Sequence, residues 1–198
     1  MALKLYYAPG VCSLASHICL IEGEGQFEVE RVDLKTKVTA SGEDFRTITA
    51  KGYVPALMLD SSEVITENVA VLAYIAKEIP RLGVLGEFGQ IRLLEALAYL
   101  STEVHKGFEQ LFLGAGTEQS AKIAANITRR LQYLADHLHN DYLFGDHPGV
   151  ADFYLFVMMR WATMFGVEIP VPLLAIQGRL LARPSVHAAL RSEGLAAA

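Results

Sequence analysis

Two cysteines in 198 residues are too few for a disulfide framework. Cys12 and Cys19 stand seven positions apart on one predicted helix, which would separate them by about 10 Å, beyond disulfide reach. Charge of one sign is also scarce. Seventeen basic residues against 22 acidic ones leave a formal net charge of -5, and no run of like charges forms. That excludes a nucleic-acid arm and a polybasic membrane anchor. Hydrophobic residues make up 52% of the chain, yet no uninterrupted apolar stretch approaches the roughly 20 residues that cross a bilayer. The opening Met-Ala-Leu-Lys-Leu-Tyr-Tyr reads directly into a strand, without the basic, apolar and small-residue regions of a secretory signal, so a cytoplasmic location is expected. Gly23-Glu-Gly25 lacks the third glycine and the preceding strand of a dinucleotide fingerprint. His137, His139 and His147 with Asp136 and Asp146 have no metal-ligand spacing, and no metal is expected.

What is present divides in two. The first eighty residues mix short strand-like runs with short helices, and everything after Gly89 reads as helix. The stretch 78–88 between them carries Pro80, Gly83 and Gly86, which break regular elements. The expected organisation is therefore residues 1–80, a linker at 81–88, and an all-helical unit at 89–198.

In the first unit, 3–7 is an apolar strand, followed by the turn Ala8-Pro9-Gly10 and a helix with Leu14, Ile18 and Ile21 on one face. Residues 28–32 alternate as a second strand, and 45–49 suit a short helix. Residues 55–59 and 64–65 suit a hairpin, and 68–77 a closing helix. The order βαβαββα is that of a thioredoxin-like α/β domain. In the second unit, Leu93, Leu97, Leu100 and Val104, then Ile123, Ile127, Leu131, Leu134 and Leu138, mark two long amphipathic helices. Residues 153–161 are apolar on nearly every side, which predicts a helix at the centre of a bundle.

Four places could carry chemistry. Cys12 opens the first helix, where free N–H groups and the helix dipole favour an anion and would stabilise a thiolate; the alternative is a small buried hydrophobe. Val54-Pro55 starts a strand after a loop. If that bond is cis, the Val54 N–H and C=O are open to pair with an extended peptide. Thr66-Glu67-Asn68 precedes a helix, with Asn68 as its N-cap and Glu67 available to an amine, or simply capping. Ala98, Ser101, Thr102 and His105 form a small polar stripe beside the leucines, where His105 could donate to a sulfur or titrate near neutrality, or be an ordinary surface histidine.

The segments 4–14, Gly52-Tyr-Val-Pro-Ala-Leu57, Thr66-Glu-Asn68, 102–108 and Gly149-Val-Ala-Asp152, together with the Arg-Pro and Glu-Gly-Leu patterns near the C-terminus, resemble the beta-class bacterial glutathione transferases over essentially the whole chain. The resemblance implies a thioredoxin-like glutathione-binding domain followed by an all-α domain, and a cytoplasmic homodimer without cofactor. Glutathione would be the co-substrate and a small, largely apolar electrophile the partner substrate. Position by position, it makes Cys12 the residue nearest the sulfur, with Tyr7 close by. Val54 before Pro55 would be the backbone pair for the cysteinyl unit, Glu67 and Asn68 the clamp for the γ-glutamyl end, and Lys37 the contact of the glycyl carboxylate. Thr102 and His105 would approach from the helices, and Phe108, Phe112, Trp161 and Phe165 would line the electrophile pocket. Thiol-disulfide exchange or peroxide reduction through Cys12, and plain carriage of apolar ligands, are the alternative activities. The chain departs from the family pattern at Ala98, where an Asn is common, and at Gly149, where a Ser or Thr N-cap is common.

Overall fold

The computed structural model describes residues 3–196. Strand β1 (Leu3–Tyr7) is followed by helix α1 (Ser13–Glu22), and strand β2 (Phe27–Asp33) runs parallel to β1. The two-residue β3 (Val38–Thr39), the single-turn α2 (Phe45–Ile48), the hairpin β4 (Ala56–Met58) with β5 (Val64–Thr66), and α3 (Asn68–Glu78) complete the first unit. The sheet order is β3-β2-β1-β4-β5, antiparallel except between β1 and β2. This is the thioredoxin-like arrangement with one strand more than the sequence suggests. Two residues are too short for period-2 alternation to register.

Alternation along β1 divides the core. Leu5 and Tyr7 face α1 and α3 in a large cluster with Leu14, Ile18, Leu72 and Ile75, whereas Tyr6 and Ala8 face α2, where the Tyr6 and Phe45 rings lie 5.4 Å apart. Behind a 3-10 turn (Pro80–Leu82) come α4 (Gly89–Tyr99), a π-helical turn (Leu100–His105) and α5 (Lys106–Phe112). They are followed by α6 (Thr117–Asp136), α7 (Val150–Phe165), α8 (Val171–Leu181) and α9 (Pro184–Ser192).

Residues 150–159 of α7 are buried without exception, the apolar run that follows Asp152 having no other place to go. At its N-terminus, the Asp152 carboxylate accepts from the N–H groups of Gly149 and Leu143, both at 2.9 Å. Those bonds hold the carboxyl down, but complete burial outweighs them and pushes it up to about 6. Helix α1 packs against α7 and α9, so the large cluster runs unbroken from the sheet into the helices.

Candidate active site

After β1 the chain reverses at Gly10, whose φ of 72° suits glycine. The Gly10 peptide is held from both sides by the helical half. Its N–H donates to Glu193 Oε2 at 2.9 Å and its C=O accepts from Trp161 Nε1 at 2.8 Å. Glu193 Oε1 is itself 2.9 Å from Nδ1 of the buried His17. This clamp fixes the approach to Cys12, which occupies the N-cap of α1.

Beyond Cys12 opens a groove of about 390 Å³ between the sheet and the helices. Cys12, Val54, Pro55, Glu67, Asn68 and His105 all line it, so four short segments far apart in sequence converge. The Val54-Pro55 bond is cis, and the Val54 carbonyl accepts from the Cys12 thiol at 3.7 Å. The thiol does not behave as position alone suggested. Burial pushes it up to about 12, against the opposing N–H groups of Cys12 and Ser13, so near neutrality it is a neutral donor and not a thiolate. Cys19 is sealed in the core.

At the other end, Glu67 has a φ of 71° and is the N-cap of α3. Its carboxylate accepts from Lys51 Nζ at 2.5 Å and Tyr53 Oη at 2.6 Å, and these two donors hold its pKa down. Asn68 is not the N-cap expected of it. It is the first helical residue, its side chain turned inward so that Oδ1 accepts from Ser16 Oγ at 3.2 Å. Its Nδ2 is buried without a hydrogen-bond partner among the described residues.

From the helices, His105 reaches the groove at the end of the π-helical turn, with Nδ1 2.7 Å from Tyr154 Oη. Burial lowers its pKa, opposed by Glu109, and burial raises that of the Tyr154 phenol. Both are neutral near pH 7. Beside them the His105 and Trp161 rings lie 5.0 Å apart, and Phe112 sits 5.1 Å from Trp161 and 4.8 Å from Phe165. Phe108 and Trp161 are buried, whereas Phe112 is 51% exposed, so this aromatic wall is partly open.

Three expected contacts lie elsewhere. Tyr7 shares the face of Leu5 and packs 5.4 Å from the His17 ring, on the core side of the sheet. Thr102 is exposed and returns its hydroxyl to the Ala98 carbonyl at 3.0 Å; the neighbouring Ser101 lines the groove instead. Lys37 is not among the lining residues; its stem lies beside Gly52, next in the chain to the lining residue Tyr53. Sequence reading also missed Tyr154, whose one hydroxyl in an otherwise apolar stretch of α7 was the available signal. Among the described residues no group of three or more His, Cys, Asp or Glu side chains could hold a metal ion. A second cavity, of about 410 Å³, lies away from this chemistry between α3 and α4, with Ala73, Ala76, Pro80, Val84, Ile91 and Leu94 in its wall.

Residues 1–77 match the family Glutathione S-transferase, N-terminal domain, and residues 96–177 match Glutathione S-transferase, C-terminal domain. The chain is 38% identical to Glutathione S-transferase GstA of Escherichia coli O157:H7 over 98% of its own length and all of that protein. A sphingomonad glutathione S-transferase solved in complex with glutathione is 42% identical, with a TM-score of 0.89 over 98% of this chain and all of that one. The bacterial beta-class glutathione S-transferase of Sphingomonas chungbukensis is 40% identical, with a TM-score of 0.86 at the same coverage. A glutathione-transferase fold carrying such a groove, with relatives this similar over their full length, makes the chain a member of the glutathione S-transferase family, of the bacterial beta-class kind.

Proposed function

We propose that the chain conjugates the thiolate of glutathione to small, largely apolar electrophiles, with glutathione as co-substrate and no further cofactor. The observation that carries this reading is the groove itself, where a thiol, the Val54 backbone before a cis proline, an acidic corner and a histidine meet beside an aromatic wall. An extended tripeptide would pair with the Val54 backbone as an added strand. Its γ-glutamyl carboxylate would meet the unpartnered Asn68 Nδ2 and the start of α3, and its ammonium Glu67. Lys37 would reach the glycyl carboxylate from beside Gly52. The sulfur would then lie between Cys12 and His105, with the electrophile against Phe112 and Trp161. Holding both reactants there replaces an encounter in solution with a positioned attack.

Because the Cys12 thiol is held neutral, its role in this reading is to donate to the glutathione sulfur, and the attacking sulfur is the substrate's own. Calorimetric titration with glutathione and an assay with a chloronitroaromatic test it. We expect saturable binding and conjugation, both weakened in Glu67→Ala and still measurable in Cys12→Ala. Absence of glutathione binding would overturn the proposal. Loss of all turnover in Cys12→Ala, with a protein-glutathione disulfide in the wild type, would instead make the enzyme a thiol-disulfide reductase.

The same reading takes residues 1–80 and 89–198 as two domains joined by 81–88, in a cytoplasmic homodimer. Among the described residues, no helix is long and apolar enough to cross a membrane. The exposed apolar side chains of Leu85, Ile91 and Leu94 line the second cavity, and together with the exposed Phe88 they supply a face for the partner copy.

A further inference from the structure

The groove carries charge from both of its sides, with Glu67 in its lining from the start of α3 and Lys106 and Glu109 from α5. The Glu67 carboxylate is already engaged by Lys51 Nζ and Tyr53 Oη, whereas the exposed Glu109 carboxylate closes no ion pair among the described residues. Lys106, Glu109 and Phe112 are spaced by three positions along α5 and so follow one another on one ridge of the helix. Phe112 belongs to the aromatic wall, 5.1 Å from Trp161. Along the helix axis Glu109 lies about 4.5 Å from Phe112 and Lys106 about 9 Å, so Glu109 is the charge nearer the wall. It also follows His105 by four positions, and its charge is felt at His105 and at Cys12. Glu109 therefore stands between the place of the reacting sulfur and the wall against which the electrophile would rest.

We infer that Glu109 sets the charge of the electrophile: neutral and cationic electrophiles are accepted, and those that carry a carboxylate or another anion are refused. The inference rests on the reading of the groove as the glutathione site. An anionic electrophile entering between His105 and Phe112 would meet two like charges at once, the glutathione thiolate and Glu109, in a groove partly cleared of water. A neutral ring avoids that repulsion, and a cationic group on it would be attracted to Glu109. Lys106 does not cancel the effect, because it lies one turn further from the wall and beside a tripeptide that itself brings two carboxylates. In the conjugation the thiol proton has gone to solvent, the thiolate forms the sulfur–carbon bond, and chloride leaves with its bonding pair. Glu109 transfers nothing in that step, so it selects the electrophile and leaves the bond-making to the sulfur.

A chloronitrobenzamide and the matching chloronitrobenzoate, alike in shape and leaving group, test the selection at saturating glutathione. We expect kcat/KM, divided by the rate of the uncatalysed reaction with glutathione, to favour the amide in the wild type, by a margin that shrinks as salt rises. Glu109→Gln should lower that preference roughly three- to tenfold. Glu109→Asp should keep most of it, and KM for glutathione should stay nearly unchanged in both variants. A wild type that handles the two electrophiles equally, or prefers the benzoate, would overturn the inference without any variant. A preference left intact in Glu109→Gln would also overturn it. In either case continued conjugation of the amide would leave the substrate reading standing, whereas a protein that neither binds glutathione nor conjugates the amide would remove that reading and the role of Glu109 together.

Discussion

At Cys12 two effects of opposite sign meet in one atom. The start of a helix favours an anion, but envelopment of the sulfur costs the anion its hydration, and here the second effect dominates. The sign of the consequence follows directly. A thiol whose native value is about 12, against an ordinary 9.0, keeps its proton through neutral and mildly alkaline solution. Alkylation of Cys12 by iodoacetamide in the ligand-free protein, measured in a Cys19→Ala background, should therefore keep accelerating with pH beyond the point where an ordinary thiol levels off. A plateau at or below the ordinary value would show that the helix terminus prevails. The position of Cys12 was legible in the sequence because a strand, a Pro-Gly turn and a helix start are local signals. Its titration was not, because the residues that share its groove, among them Val54, His105, Glu109 and Tyr154, come from separate segments that no local pattern brings together. Tyr7 fails as a site residue for a simpler reason. It lies two positions from Leu5, and period-2 alternation commits both to the core face.

The helix that delivers His105 shows how a small change of period reassigns a face. Regular helical spacing puts Ala98, Ser101, Thr102 and His105 on one stripe, but the chain takes a π-helical turn over Leu100–His105. The groove receives Ser101, His105, Lys106 and Glu109, while Thr102 turns outward. Such turns recur at functional sites because they re-aim side chains, and hydrophobic periodicity does not foretell them. The buried α7, in contrast, was fully legible, since a helix apolar on all sides has only one place to go. Its N-cap is the informative departure. Serine caps helices better than glycine by a few tenths of a kcal/mol, but a Cβ at Gly149 would stand 2.8 Å from the Leu82 carbonyl oxygen. Backbone cannot yield as a side-chain tip can, so overpacking of about 1–3 kcal/mol outweighs the better cap. Gly149→Ser should accordingly lower the thermal midpoint by several degrees in calorimetry. An unchanged or raised midpoint would mean that Leu82 gives way.

For the whole molecule, the site depends on contacts that span nearly the full chain. Gly10 is held by Glu193, 183 positions away, and by Trp161, so the Cys12 loop is set by the helical half as much as by its own sheet. A reading of motifs along the chain identifies both partners and leaves their meeting unseen. The same scale governs assembly. Phe88 and Ile91 are each 64% exposed in the single chain, which makes them immaterial to the fold of one copy and costly to leave in water. If this face joins two copies, Phe88→Asp with Ile91→Asp places charges where an apolar surface must be desolvated, and the assembly should dissociate without unfolding. Sedimentation should then move from twice the mass of one chain to 21.7 kDa, with the circular dichroism of the folded chain retained. The wild-type thermal midpoint should rise with protein concentration, while that of the double variant should not, because only association links stability to concentration. A wild type already sedimenting as one chain, or a double variant that stays paired, would remove this face as the interface.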